Sequence, residues 1–258
     1  MKKYLIPIAL LLVVAVLFTA TWAAAPFGDV SEGDWYAASV DYVYEKGLMN
    51  GITETTFEPN STMTRAMLVT VLGRMKGVDV TNYESAPFTD VPDGLWFTPY
   101  VAWAAENGVV NGMPDNTFHP LDNVTRQDAA CMIARYIRTL DAELEESGST
   151  DFPDAAEIAP YALESVSFMS RTGLIRGDNH GNFNPRNNIT RAEAATILMR
   201  LDQKLAEAEE PSTEETTEPS TEEPTEPSTE EPTEPPIPDW IETVDGDTDS
   251  EGWSERIS

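Results

Sequence analysis

The chain has 258 residues, room for one or two domains, and carries 45 acidic against 16 basic side chains, a net charge of -29. That balance excludes the nucleic-acid and anionic-lipid binders that rely on basic surface. The one cysteine, Cys131, leaves no internal disulfide, so stability has to come from packing, and its setting among small residues on a helix reads as a buried, inert thiol.

In chain order, residues 1–25 come first. Lys2 and Lys3 precede an apolar run from Leu5 to Ala20, which is followed by "TWAAAP". This is the pattern of a secretory signal peptide, and cleavage after Ala23 would place small Thr21 and Ala23 at the positions the peptidase reads. An uncleaved anchor would need about 20 consecutive apolar residues. No membrane contact is expected once the leader is removed.

Three aligned units follow, at residues 26–82, 83–146 and 147–205. They open "FGDVSEGDWYAASVDYVYEKGLMNG", "FTDVPDGLWFTPYVAWAAENGVVNG" and "FPDAAEIAPYALESVSFMSRTGLIRG". Phe27, Phe88 and Phe152 start them. Asp29, Asp90 and Asp154 come two residues later, then Trp35, Trp96 and Tyr161, the third copy having one extra residue before its aromatic. From the aromatic onward the register is strict, with Gly47, Gly108 and Gly173 twelve residues on and Arg65, Arg126 and Arg191 eighteen beyond those. Such fidelity marks one supersecondary unit used three times.

Each unit is expected to hold two helices. The first runs roughly from the aromatic to the glycine, with one apolar face marked by Val40 and Val43, Val101 and Ala104, or Val166 and Met169. Gly47, Gly108 and Gly173 suit the left-handed residue that ends a helix. A polar loop comes next, in which Phe57, Phe118 and Phe183 each precede a proline by two residues; an aromatic in so polar a setting pins the loop to the core. Thr64, Thr125 and Thr190 suit the N-cap of a second helix. Asp128 and Glu193 are placed to close a capping box in copies two and three, whereas copy one has Met67 there.

The repeated arginine therefore sits at the first position of a helix, where free backbone amides and the positive end of the dipole favour an anion. Its planar fork suits a carboxylate or phosphate. A structural role is equally open: Arg65, Arg126 and Arg191 could pair with Asp29, Asp90 and Asp154 of the same or a neighbouring unit. A second series, Arg74, Arg135 and Arg200, lies near the end of that helix and is expected to stabilise it.

The F-x-D opening, the aromatic, the G-x-x-x-G loop with F-x-P and the T-R-A-E helix start resemble the S-layer homology domain, over about residues 26 to 203. The resemblance implies a mainly α fold, three helix-loop-helix repeats in a pseudo-threefold spindle with a central three-helix bundle. It also implies a non-catalytic cell-surface anchor whose inter-repeat grooves bind secondary cell-wall polysaccharide, commonly through pyruvylated N-acetylmannosamine. Carried over by position, Arg65, Arg126 and Arg191 would hold the anionic sugar, assisted by Asp29, Asp90 and Asp154 and by Trp35 and Trp96, with Gly47, Gly108 and Gly173 completing the candidate ligand-binding set. The tryptophans can pack on sugar rings or fill the prong core, and core packing is the expectation. Tyr161 weakens the third copy, and "TRAM" weakens the first.

Residues 206–238 change to an eight-residue Pro, Ser, Thr and Glu repeat with nothing apolar to bury, expected to be a disordered spacer. Some 30 such residues at about 3.1 Å each could reach roughly 90 Å. Residues 239–258, with Trp240 and Trp253, are too short to fold alone and suit docking on a protein partner. Their Asp245, Asp247, Asp249 run lacks the later ligands of a calcium loop, so neither metal nor cofactor is expected. Two other readings remain: a tether joining an outer envelope layer to the wall, and a secreted glycan hydrolase using two carboxylates. The hydrolase is disfavoured because the prominent acidic residues recur in every copy. A secreted, wall-bound location follows from the anchoring reading.

Overall fold

The computed structural model describes residues 25–140 and 142–209. The leader up to residue 24, most of the linker and the acidic segment of residues 239–258 lie outside them. Among the described residues six helices form: α1 (Ala37–Glu45), α2 (Arg65–Lys76), α3 (Thr98–Glu106), α4 (Arg126–Arg138), α5 (Leu163–Arg171) and α6 (Arg191–Glu209), with short 3-10 turns at Val80–Asn82 and Ala155–Glu157. The fold is mainly α, with three two-helix repeats.

Local signals place the helix ends. Thr64, Thr125 and Thr190 each accept the amide three residues on, at 3.2 Å, as N-caps should. The full capping box closes only in copy three, where Glu193 also accepts the amide of Thr190 at 2.8 Å. Asp128 instead takes the Thr125 hydroxyl, its side chain being one carbon too short to reach back. The first helices begin two residues after the aromatic rather than at it. Gly47, Gly108 and Gly173 end them at φ of 66°, 70° and 71°, a region where a side chain would be strained. Residues 206–209, read from sequence as the start of the disordered linker, continue α6, because "LAEAE" is made of strong helix formers.

The main helix pairings run between repeats. α3 packs on α2 and α5 on α4, and α1 closes the circle on α6. Each first helix thus lies against the second helix of the preceding repeat, and the pseudo-threefold spindle closes between its first and last units. The α1–α6 seam buries a hydrogen bond between Thr196 and Ser39 at 3.1 Å, and Tyr42 donates to Asp202 nearby at 2.6 Å.

At the centre, just before the second helices, three strand-like bridges link Thr62 with Thr190, Thr64 with Asn123 and Thr125 with Asn188. Between them the amides of Met63, Val124 and Ile189 donate to the carbonyls of Ile189, Met63 and Val124, each at 3.0 Å. Their side chains are at most 1% exposed. This three-membered ring is the hub from which α2, α4 and α6 emerge, α2 and α4 packing on each other.

Candidate functional site

The repeated arginines act across the repeat boundary. Arg65 Nε donates to the Phe118 carbonyl at 2.8 Å, Arg126 Nε to that of Phe183 at 2.7 Å and Arg191 Nε to that of Phe57 at 2.8 Å. Each guanidinium also lies over the ring of that phenylalanine, 4.8, 5.3 and 4.4 Å from its centroid. The phenylalanine in turn packs on the opening Phe of its own repeat, with centroids 5.3 to 5.5 Å apart. Such a column of cation and two rings explains why an aromatic stands in a polar loop.

Asp29, Asp90 and Asp154 hold the same loop from its other side. Asp29 accepts the amides of Phe57 and Glu58 at 2.8 and 2.7 Å, Asp90 those of Phe118 and His119 at 2.7 Å each, and Asp154 those of Phe183 and Asn184 at 2.8 and 2.6 Å. The second amide belongs in every case to a residue with φ of 55° to 58°, so the carboxylate fixes a left-handed turn. At Asp29 burial pushes the carboxyl pKa up, but backbone hydrogen bonds, those of Phe57 and Glu58 first, together with the Arg191 charge outweigh it and the net shift is downward. Among the described residues no ion pair joins these aspartates to the arginines. The two residue types instead hold one peptide from opposite faces.

The amides expected to await an anion are also taken. Those of Arg65 and Ala66 donate to Asp122 and Pro120, those of Arg126 and Gln127 to Asn187 and Pro185, and those of Arg191 and Ala192 to Ser61 and Pro59, all within 3.1 Å. The neighbouring repeat's F-x-P loop is the acceptor each time. What remains for a ligand is the outer edge of the guanidinium.

Around that edge two grooves open, each assembled from all three repeats. One, about 580 Å³, is lined by Arg126 of copy two, the Arg176–Asn179 loop and α6 residues Glu193, Thr196 and Arg200 of copy three, and Trp35 of copy one. The other, about 410 Å³, takes Arg65 from copy one, the Asn111–Met113 loop and Asp128, Cys131 and Arg135 from copy two, and Tyr161 from copy three. By the same rotation, Arg191 faces copy one's Asn50, to whose carbonyl it donates at 2.7 Å.

The repeated aromatics correct the core-packing expectation, and two of them, Trp35 and Tyr161, line the grooves. Trp35, Trp96 and Tyr161 are 66%, 56% and 60% exposed, and the next residue in each copy, Tyr36, Phe97 or Ala162, takes the core position. The helix begins just beyond, so only one of two adjacent side chains can face inward. Tyr161 donates to Asp128 at 2.7 Å, which fixes its ring at the mouth of the Arg65 groove.

The three arginines differ in what holds them. Arg126 forms an ion pair with Glu193. Among the described residues the Arg65 guanidinium makes no hydrogen bond beyond that to Phe118, and that of Arg191 has two carbonyls and no carboxylate. Burial lowers the pKa of Arg65 and Arg191, opposed by nearby acidic groups, chiefly Asp128 for the first and Glu58 for the second.

The second arginine series acts on the other helix of its own repeat. Arg74 and Arg200 donate to the carbonyls of Leu48 and Leu174 at 3.0 and 3.1 Å, just past the glycine caps of α1 and α5. Arg135 lines its groove instead. Sequence reasoning missed Arg176, although one signal was available: copies one and two carry Asn50 and Asn111 at that position. Cys131 is buried, and burial pushes its thiol up, as its inert reading requires.

The residues thus define a closed helical repeat domain with composite grooves, each joining a cation, an exposed ring and polar loop atoms. The sequence pattern of the S-layer homology domain matches residues 26–66, 87–130 and 151–195, and the chain belongs to that family. It is 30% identical over 179 residues to the amylopullulanase of Thermoanaerobacterium thermosulfurigenes, covering 69% of this chain and 10% of that protein. It is 30% identical over 184 residues to the endoglucanase of Bacillus sp. strain KSM-635, covering 71% and 19%. With the S-layer protein sap of Bacillus anthracis the identity is 26% over 193 residues, covering 75% and 23%. The chain thus spans less than a quarter of the length of these relatives. Among the described residues no helix is long and apolar enough to cross a membrane.

Proposed function

We propose that the chain is a non-catalytic cell-surface anchor that binds secondary cell-wall polysaccharide in its inter-repeat grooves, recognising a pyruvylated sugar through its carboxylate. The similarity to S-layer proteins supports a location at the cell surface. The observation that carries the ligand reading is the Arg126 groove, where Arg126, Arg176 and Arg200 face an exposed Trp35 across a cavity of about 580 Å³. A pyruvate ketal presents one carboxylate on a ring with an apolar face, and this groove offers the matching cations and indole. The non-catalytic reading draws support from Asp29, Asp90 and Asp154, whose carboxylates are committed to loop amides instead of standing as an acid and base pair.

The test is cosedimentation of the full chain with purified cell-wall sacculi, before and after chemical removal of the attached polymer. Trp35→Ala serves beside Arg126→Ala because Trp35 is exposed and its loss leaves the core intact. Binding lost with the polymer and weakened by Trp35→Ala, with the helical circular dichroism unchanged, supports the reading. Equal binding to stripped sacculi would reject it.

A further inference from the structure

A second cavity, of about 620 Å³, lies beside the Arg126 groove. One wall is the opening segment of copy three, where the amides of Ser147 and Gly148 donate to the Arg171 carbonyl at 2.9 and 2.7 Å. A Cβ at Gly148 would stand 2.3 Å from the Ser170 carbonyl oxygen, so only glycine permits this approach. The opposite wall is the last turns of α6, which at 19 residues outruns α2 at 12 and α4 at 13. Both walls are therefore fixed by backbone contacts or helix, as in a preformed binding site.

The cavity and the groove share Ile175, Arg176, Gly177 and Arg200. Arg176 and Arg200 stand at the junction, and Lys204 lines the cavity beyond. Among the described residues none of the three has a carboxylate within ion-pair distance. Two carboxylates, Asp151 and Glu207, line the same cavity, so the three cations leave it one excess positive charge for an anion to meet. Burial lowers the pKa of Arg200 first, and the like charge of Arg176 adds to the effect.

We propose that this cavity is a second sugar subsite, in which Arg176 and Lys204 hold a further acidic residue of the polysaccharide strand whose pyruvylated unit occupies the Arg126 groove. The inference rests on the reading of that groove given above. It makes the Arg126 groove a reader of an oligosaccharide and the Arg65 groove, with Asn111 in place of Arg176, a reader of a single unit.

Isothermal titration of the full chain tests this with two probes: pyruvylated N-acetylmannosamine alone, and fragments of purified wall polymer two to three repeating units long. The variant Lys204→Gln, which alters the cavity and leaves every residue of the Arg126 groove in place, is expected to lose about tenfold in affinity for the fragments while its affinity for the monosaccharide is unchanged. The position lies outside the core, and circular dichroism checks the fold. Equal affinity of the wild type for both probes, or no effect of Lys204→Gln on fragment binding, overturns the subsite while leaving the groove reading intact. Failure of either probe to bind wild type at all removes the groove reading and the subsite together.

Discussion

The grooves at Arg126 and Arg65 share one backbone plan yet offer a ligand different chemistry. At Arg126 the guanidinium is paired with Glu193, a tryptophan stands at the mouth and two more arginines line the wall. At Arg65 the guanidinium has one carbonyl partner, the mouth carries a tyrosine tied to Asp128, and the volume falls from about 580 to about 410 Å³. The difference teaches that a groove is not the property of a repeat. Tyr161 of copy three faces the arginine of copy one, and Met67 of copy one stands, by rotation, where Arg191 of copy three has its groove. The departures that seemed to weaken copies one and three are thereby shared between two grooves, and the Arg126 groove receives the fuller set.

The largest effect that would break this comparison is structural. Arg191→Ala removes two charge-assisted hydrogen bonds and strands the Phe57 and Asn50 carbonyls, at a cost of about 3 kcal/mol. Arg65→Ala, with one such bond and more exposure, is expected to cost about half as much. Urea titrations of the two variants measure the gap, and equal losses would show that burial does not distinguish the sites.

Next comes the loop staple. Asp154→Ala should cost about 2 kcal/mol by releasing the amides of Phe183 and Asn184. Asp29 supplies the pH arm. Its folded pKa is depressed, so its stabilising contribution is present above the unfolded value and is lost as pH falls through the folded one. Asp29→Asn should flatten the decline of melting temperature below about pH 4. An unchanged acid limb would show that its carboxylate does not hold the loop.

Trp35→Ala sharpens the comparison in binding, with an expected loss of about tenfold, or about 1.4 kcal/mol, against a smaller loss for Trp96→Ala in affinity for pyruvylated N-acetylmannosamine. The smallest effect is expected from Tyr161→Phe, about 0.5 to 1 kcal/mol in stability, because it severs the hydrogen bonds with Asp128 and Gln127 at a half-open surface. Thermal melts resolve a change of that size.

Much of this was legible in the sequence because it is local. The threonine caps, the glycine stops and the threefold register each follow from chemistry within one turn of the chain. The partners of Arg65, Arg126 and Arg191 were not legible, since each lies in the next repeat around the ring, up to 134 residues away for Arg191 and Phe57. The choice between an anion and an aspartate left out the backbone, and carbonyls leave no trace in residue identity. Trp35 and Trp96 misled for a related reason: both residues of an aromatic pair such as Trp35–Tyr36 satisfy an apolar pattern, and only the start of the helix decides which turns inward.

Closure of the ring has a mechanical consequence. A load on the chain beyond Glu209 enters through α6, which is buttressed by α1 at the opposite end of the sequence. The tension therefore falls on the seam of Thr196 with Ser39, Tyr42 with Asp202 and Arg191 with Phe57. That seam acts as the clasp of the ring: while it holds, a pull on the last repeat is also borne by the first.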